Sequence, residues 1–513
     1  MKKIKNLFII TVTSLLAVSC NNDLTSVEQV ETGRAKDYYL NMGKKLENPY
    51  SVKTMKLALE NVKQKMGKNS LKSLSKTGEE FNIETTHLYV KFNPVDLVQE
   101  QTLESDSTLI VSDYPLDYDY SNEELESMGY DNPNIIGSYY TAVPKDQTLP
   151  NVPREILEEL YIPEEDPFFD EIGTGKASST DLTSKQDLYT NLMHEAYKIT
   201  NNEKQLGLEK SSDGKWWIFG KKWYPSGRIT MYDNSLGQTV AVDGAQVLMR
   251  QWFTIRQAIT DGNGYFSTGF VRGTAKYVLQ WERHHYDIRN GWFGQAETHG
   301  PNVKEQQWNY NVNGDQNIQF AMIHRAAHHY YYKDIKGLRR PPMYGEMPSR
   351  MKIAAIDATN TDINGDFSFW RSLGGILPTI RIYKRTNMSD YYGTVTHELG
   401  HASHWKMGWW TFQGVQDNVA ESWARGVQWD LTRMVYPNYS ASYFGNYTGI
   451  VQDLIDNDNS YSDQTSGYSI SQIENSLKYQ KTWQDWRNKI KQDYDNPTEN
   501  NLDTVFNYWF NQQ

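Results

Sequence analysis

The 513-residue sequence contains a single cysteine, Cys20. A lone thiol excludes an intrachain disulfide, so the fold must rest on packing and hydrogen bonding. Histidine is also scarce, with 11 residues, so any pair at metal-ligand spacing stands out. Positive charge is in deficit: 52 Lys and Arg face 63 Asp and Glu, a net charge of −11, and no block of basic residues occurs. That argues against a nucleic-acid-binding protein, which needs a clustered basic footprint. The apolar run Leu7–Val18 is too short to span a membrane as a mature helix. No internal repeat is found. What remains is a chain long enough for about three or four domains with a full core.

Aromatic residues are plentiful, 13% with 16 Trp and 35 Tyr. They suit peptide or glycan contacts and serve equally as core and rim residues. The most informative stretch is Thr394–His404, which contains His397-Glu398-Leu399-Gly400-His401. On a helix, His397 and His401 project from one face. Two neutral imidazoles at this spacing can bind one Zn²⁺ at about 2.0–2.1 Å. Glu398 follows the first ligand, where it can take a proton from a metal-activated water. A catalytic zinc needs a third protein ligand and one open position. Asp417 and Glu421 are the next carboxylates, both in a segment that reads as a second helix. Met407 stands where a third His would complete a longer His-rich motif, and His404 where that motif needs Gly. Asp417 is better read as a loop or supporting residue, one turn before Glu421.

This arrangement resembles the gluzincins, the thermolysin-like peptidases in which HExxH is followed by a Glu on a downstream helix. The run Glu421-Ser422-Trp423-Ala424 is similar to the sequence around that Glu in several gluzincin families, and the likeness covers about 30 residues. It implies zinc held by His397, His401 and Glu421. One position departs: Arg425 stands where thermolysin has an Asp that supports a ligand histidine. The HELGH-then-Glu pattern is also similar to enhancin-like, mucin-targeting peptidases. Gluzincins stabilise the oxyanion with a downstream Tyr or His; Tyr436, Tyr439 and Tyr443 are candidates, and no motif selects among them.

At the other end, Met1–Lys5 is basic, Leu7–Val18 is apolar and Ala17-Val18-Ser19-Cys20 resembles a bacterial lipobox. The resemblance implies cleavage before Cys20, lipidation of Cys20 and a membrane-tethered ectodomain. The following Asn21-Asn22-Asp23 looks like lipoproteins of the Bacteroidetes type, often displayed on the outer membrane or cell surface. Residues 21–50 read as a polar tether.

The rest of the chain reads as multidomain α+β. Val52–Met66 has apolar residues at helical spacing (Met55, Leu57, Leu59, Val62, Met66), and Thr86–Phe92 alternates as a strand. They define a small N-terminal α+β domain over 50–160, with a Ser/Lys-rich linker at Gly67–Lys76 inside it. Residues 161–224 read as linker and helix, the linker at Pro163–Lys185. From Gly227 the period changes to two. The pattern over 225–290 resembles the carboxypeptidase regulatory-like domain, a transthyretin- or immunoglobulin-like β-sandwich. Its Asp261-Gly262-Asn263-Gly264 reads as a plain turn rather than a Ca²⁺ loop. Residues 295–513 are the expected zincin-like catalytic domain. There, Gln316–Tyr331 reads as a packed helix whose His324 and His328 lack a third ligand. Ile376–Tyr383 contains Pro378 and reads as an edge strand, the element that aligns an extended substrate in zincins. Asn387–Asp390 is expected to cap the HELGH helix, and Ile473–Tyr494 reads as one long helix.

The functional expectation is a zinc peptidase, an endopeptidase acting on extracellular proteins or glycoproteins with Glu398 as general base. The competing expectation is a surface lipoprotein that binds glycans or glycoproteins and whose zinc site is structural or vestigial. The intact Glu398 favours the first, since a structural site has no use for a base.

Overall fold

A computed structural model describes residues 43–66, 81–106, 108–121, 124, 137–169, 179–206, 222–291, 294–347, 350–359, 364–368, 379–458 and 464–512. Cys20 with its lipobox, most of the tether, the linker at 67–76 and the segment Gly374–Pro378 lie outside these residues. Among them, no helix is long and apolar enough to cross a membrane. The chain is mixed α+β, with eleven helices and five sheets among the described residues. It divides into two compact units, Val30–Ser403 with Val427–Ala441, and His404–Gly426 with the segment from Ser442.

The larger unit opens with β1 (Lys44–Lys45) and α1 (Val52–Met66). The apolar spacing of α1 buries Met55, Leu59 and Val62, but Leu57 faces solvent. Next come β2 (His87–Phe92), α2 (Leu97–Ser105), β3 (Tyr118–Asp119), β4 (Tyr139–Pro144) and β5 (Arg154–Leu160). β2 is the centre of an antiparallel sheet ordered β4-β2-β5, and β1 pairs with β3. α3 (Ser179–Ile199) brings Leu188, Leu192 and Ala196 into the core that holds Met55, Leu59 and Tyr89. The stretch after Pro163 is more than a linker, because Phe169 is buried in that core, edge-on to Tyr189.

Strands β6 (Ser226–Asp233), β7 (Gln238–Ala241), β8 (Gln246–Gln251), β9 (Thr254–Ile259), β10 (Tyr265–Ser267) and β11 (Ala275–Gln280) follow. Along β6 the period-two pattern buries Ile229, Met231 and Asp233. In the turn before β10, Asp261 Oδ1 accepts from the N–H groups of Asn263 and Tyr265, each at 2.9 Å. That carboxylate oxygen is spent on the turn, as the plain-turn reading requires. β12 (Tyr286–Asn290) and β13 (Gly294–Gln295) then enter a different sheet, while β14 (Glu297–Val303) and β15 (Trp308–Val312) return to the earlier strands. The results are one sheet with the path β10-β6-β15, β7 pairing β6, and another ordered β14-β11-β8-β9. Tyr277 links them, its ring meeting Phe266 at 5.9 Å and Trp308 at 5.4 Å. The strands of 225–290 and those after 295 are thus interleaved.

α4 (Asp315–Tyr332) precedes β16 (Met351–Ile356), β17 (Gly365–Phe367) and β18 (Ile380–Tyr383). They build a sheet ordered β13-β12-β16-β18-β17, parallel across β12, β16 and β18 and antiparallel at both margins. Ile380–Tyr383 is therefore not an edge strand; it is hydrogen-bonded to β16 on one side and β17 on the other. Gly365–Phe367 is the marginal strand among the described residues. Gln319 on α4 donates to the Ile382 carbonyl at 2.9 Å, tying the helix to this sheet. The ring of fully buried His324 uses both nitrogens, Nδ1 with Tyr286 Oη and Nε2 with the Asp243 carbonyl, each at 2.9 Å. His324 and His328 are packing residues, as the sequence pattern suggests. Gly244, at φ +74°, lies so close to His328 that a Cβ would sit 2.2 Å from Nε2.

Three helices follow: α5 (Met388–Met407), the short α6 (Trp409–Phe412) and α7 (Asp417–Arg433). The smaller unit also contains α8 (Ile450–Ile455), α9 (Ile470–Leu477), α10 (Trp483–Asp493) and α11 (Leu502–Phe510). The single helix expected over 473–494 is broken between α9 and α10. Tyr479 takes φ +66° there, and Thr482 caps α10 by accepting from the Asp485 N–H at 3.1 Å. Trp483, Trp486 and Phe506 meet edge to face in this core.

Burial pushes the imidazoles of His299 and His328 down to about 4 and holds His324 well below its ordinary value. These groups are neutral when folded and would take up protons when unfolded near pH 6.5, so their stabilisation is present above that pH and lost towards pH 4. Asp113 works oppositely: burial, then Glu297, raises its carboxyl to about 6, which favours the folded state in acid. Burial also lowers His87, His194 and His329 and raises Glu158 and Glu164, so six histidines act against three carboxyls. Calorimetry should give a midpoint that falls as pH drops from 7 to about 4.5, and His324→Gln should make the fall shallower.

Candidate metal centre

The first N–H groups of a helix have no partner within it. In α5 they are met from the turn between β6 and β7: Met388 N–H donates to Asn234 Oδ1 at 3.1 Å, and Ser389 N–H to Ser235 Oγ at 2.9 Å. The cap expected from Asn387–Asp390 thus comes largely from a segment distant in sequence. Farther along α5, Val395, Leu399 and Ala402 are fully buried, and on α7 so are Trp423, Val427 and Leu431. Thr396 Oγ1 bonds back to the carbonyls of Tyr392 and Gly393 and meets Thr432 Oγ1 at 3.4 Å.

On these two helices His397, His401 and Glu421 are all buried, and a ligand atom from each lies within 4.8 Å of the others. Among the described residues this is the one group of His, Cys, Asp and Glu side chains close enough to share a metal ion. Nε2 of His397 and Nε2 of His401 are 3.1 Å apart. Two nitrogens bound at about 2.0–2.1 Å to a tetrahedral ion would be roughly 3.3–3.4 Å apart. The spacing therefore fits two imidazoles aimed at one point. A carboxylate buried beside them is costly unless it is paired or coordinates a metal. Donor set, spacing and burial fit a divalent metal with three protein ligands. Asp417 begins α7 and is not part of the group. Arg425 lies over the Tyr447 ring at 4.7 Å.

Glu398 is buried beside the first histidine. Opposite it runs β17, a contact the sequence did not suggest. A Cβ on Gly365 would come within 2.8 Å of Thr394 Cγ2 and 3.1 Å of Glu398 Oε1. The marginal strand therefore lies against the face of α5 that carries Glu398, and only a residue without a side chain permits that approach. Asp366 on β17 pairs with Arg381 on β18. Burial works against the Arg381 charge, but Asp366, with a contribution from Glu398, outweighs it and raises the guanidinium above its ordinary value. No sequence signal marks the triplet Gly365-Asp366-Phe367, because three residues carry no periodicity.

The three candidate tyrosines part company. Tyr436 Oη donates to Asp233 Oδ2 at 2.6 Å, and Arg325 completes a buried triad with them at 2.8 Å from Asp233. That hydroxyl braces β6 and α4, which corrects its candidacy as an oxyanion donor. Tyr443 donates to Gln452. Tyr439 accepts from Gln428 at 2.6 Å and abuts Gly393, one turn before His397 on α5. Comparison with family models, with curated proteins and with solved structures finds no match to this chain.

Elemental analysis of the purified chain should find about one divalent metal per molecule. Glu421→Ala and His401→Ala should each lose it. Chelation should lower the thermal midpoint of the parent protein, because a metal at a hundredfold excess over its Kd adds about 2.7 kcal/mol, and should leave both variants unmoved.

Proposed function

We propose that this chain is a zinc-dependent peptidase. The observation that carries the proposal is the buried His397–His401–Glu421 group with Glu398 beside it and a marginal β-strand alongside. Zinc held by the triad would polarise a peptide carbonyl and lower the pKa of a water in its remaining position. Glu398 takes the proton of the attacking water and passes it to the leaving amine. β17 offers main-chain hydrogen bonds to an extended peptide, which sets the scissile bond beside Glu398 by strand addition. Its Gly365 keeps the gap between strand and base free of side-chain atoms. Tyr439, held by Gln428 next to Gly393, is the proposed second donor to the oxyanion.

This reading agrees with the resemblance to the gluzincins over the two metal-carrying helices. We propose equally that the N-terminal segment directs export and lipidation at Cys20, so that the substrates are extracellular proteins or glycoproteins.

Two variants test the reading. Glu398→Gln should retain the metal and lose peptide cleavage by about 10²–10⁴-fold, the usual scale of a general base. Turnover near the parent level would remove the base assignment. Gly365→Ala should also keep the metal, since it touches no ligand, yet cut kcat/KM at least tenfold. It should cost about 1–3 kcal/mol of stability from overpacking. Full activity in that variant would show that β17 plays no part in the reaction.

A further inference from the structure

The sequence contains four Asn-Gly pairs: Asn263-Gly264, Asn290-Gly291, Asn313-Gly314 and Asn364-Gly365. In such a pair the glycine nitrogen can attack the preceding side-chain amide, since no Cβ on glycine hinders the approach. The fold separates the four by what it does with that nitrogen. Gly264 N–H donates to the Asp261 carbonyl at 2.8 Å, and Gly291 N–H to the Ala355 carbonyl at 3.0 Å. Freeing either nitrogen means breaking a main-chain hydrogen bond, which slows attack by about tenfold.

Asn364-Gly365, at the start of β17, is open. Asn364 is exposed, and its side-chain amide makes no hydrogen bond with the described residues. Its carbonyl accepts from the Tyr383 N–H at 3.1 Å, and farther along the strand Ser368 N–H donates to the Thr379 carbonyl at 2.8 Å. Hydrogen-bonded and non-bonded pairs alternate along an antiparallel ladder. Gly365, opposite Ile382, falls in a non-bonded pair, so its N–H points away from β18 to the margin of the sheet. Asn313-Gly314 is open as well, both residues being exposed. It leads into α4, however, and lies on no element that carries a metal ligand or Glu398.

We propose that Asn364 is a modification site, at which the folded chain deamidates spontaneously to isoaspartate. The Gly365 nitrogen bonds to Asn364 Cγ, the Cγ–Nδ2 bond breaks, and ammonia leaves with the proton of the Gly365 N–H. The five-membered succinimide takes up one water and opens to aspartate or isoaspartate; nothing is oxidised or reduced. In isoaspartate the main chain runs through Cγ and gains a methylene. The carbonyl that accepts from Tyr383 becomes an oxygen of a pendant carboxylate, so β17 loses its first main-chain rung to β18. An added carbon–carbon bond of about 1.5 Å moves Gly365 out of the narrow gap beside Thr394 and Glu398. On the peptidase reading, on which this consequence rests, cleavage is lost while the metal stays, because its ligands lie on α5 and α7.

The test is to incubate the full chain in mildly alkaline buffer, with and without urea. Products are read by peptide mass mapping and isoaspartyl methyltransferase labelling. In the folded chain Asn364 and Asn313 should convert about tenfold faster than Asn263 and Asn290, the factor set by one main-chain hydrogen bond. In urea the four rates should converge. The proposal falls if Asn364 persists in the folded chain, or if Asn263 or Asn290 keeps pace with it. Asn364→Gln, whose longer amide disfavours ring closure, should give no product at 364 and keep the parent metal content. Peptide cleavage by the parent should drop in step with isoaspartate at 364, and cleavage by the variant should not. Equal decay in both would overturn the functional consequence. A chain that forms the product at 364 yet never cleaves peptides overturns the peptidase reading and leaves the modification standing.

Discussion

Burying a carboxylate beside two imidazoles is the constraint on which the packing around α5 and α7 depends. Glu421, His397 and His401 are removed from water on two helices that also bury Val395, Leu399, Trp423 and Val427. A buried ionised carboxylate without a counter-charge is prohibitively unfavourable. The donor set is suited to a divalent cation, and the binding free energy of such a cation would add to that of folding. The nitrogen spacing of 3.1 Å shows that the two rings already converge on one point. The ends and backs of the helices are secured separately, through the Asn234 and Ser235 contacts at the start of α5 and the Thr396–Thr432 contact along it.

Beside that group lies the margin of the five-stranded sheet. Its inner strands are parallel and paired on both sides, and β17 runs antiparallel at the margin. The close approach of Gly365 sets that strand directly against Glu398. The Asp366–Arg381 pair ties that margin to its neighbour and places a cation within electrostatic reach of Glu398.

The same unit buries charge elsewhere. Asp233, Arg325 and Tyr436 form a closed triad in which every partner is matched, and it links β6 with α4. Glu297, itself paired with Arg250, and the Arg289–Asp287 pair instead line a cavity. The difference between them is physical: the first group is closed on itself, whereas the second borders open space.

Several features follow from the sequence because they depend on near neighbours along the chain. The four-residue spacing of His397 and His401, the Glu398 between them and the helix bearing Glu421 are local patterns, and the structure brings these ligands together. The period-two strands from Gly227 and the Asp261 turn are local as well. What the sequence could not decide depends on pairing between distant residues. Pro378 suggested an edge strand at Ile376–Tyr383, yet among the described residues the edge belongs to Gly365–Phe367, because strand order is set by the packing of the whole sheet. The cap of α5 comes from Asn234 and Ser235, and Tyr436 is taken by Asp233, choices that no window around Asn387 or Tyr436 contains. The helix expected over 473–494 breaks at Tyr479, where the chain adopts a left-handed conformation despite an unbroken apolar pattern. Spacing along the chain thus determined the set of candidate metal ligands, while tertiary packing decided which strand lies against Glu398, what caps α5 and which tyrosine is engaged by Asp233.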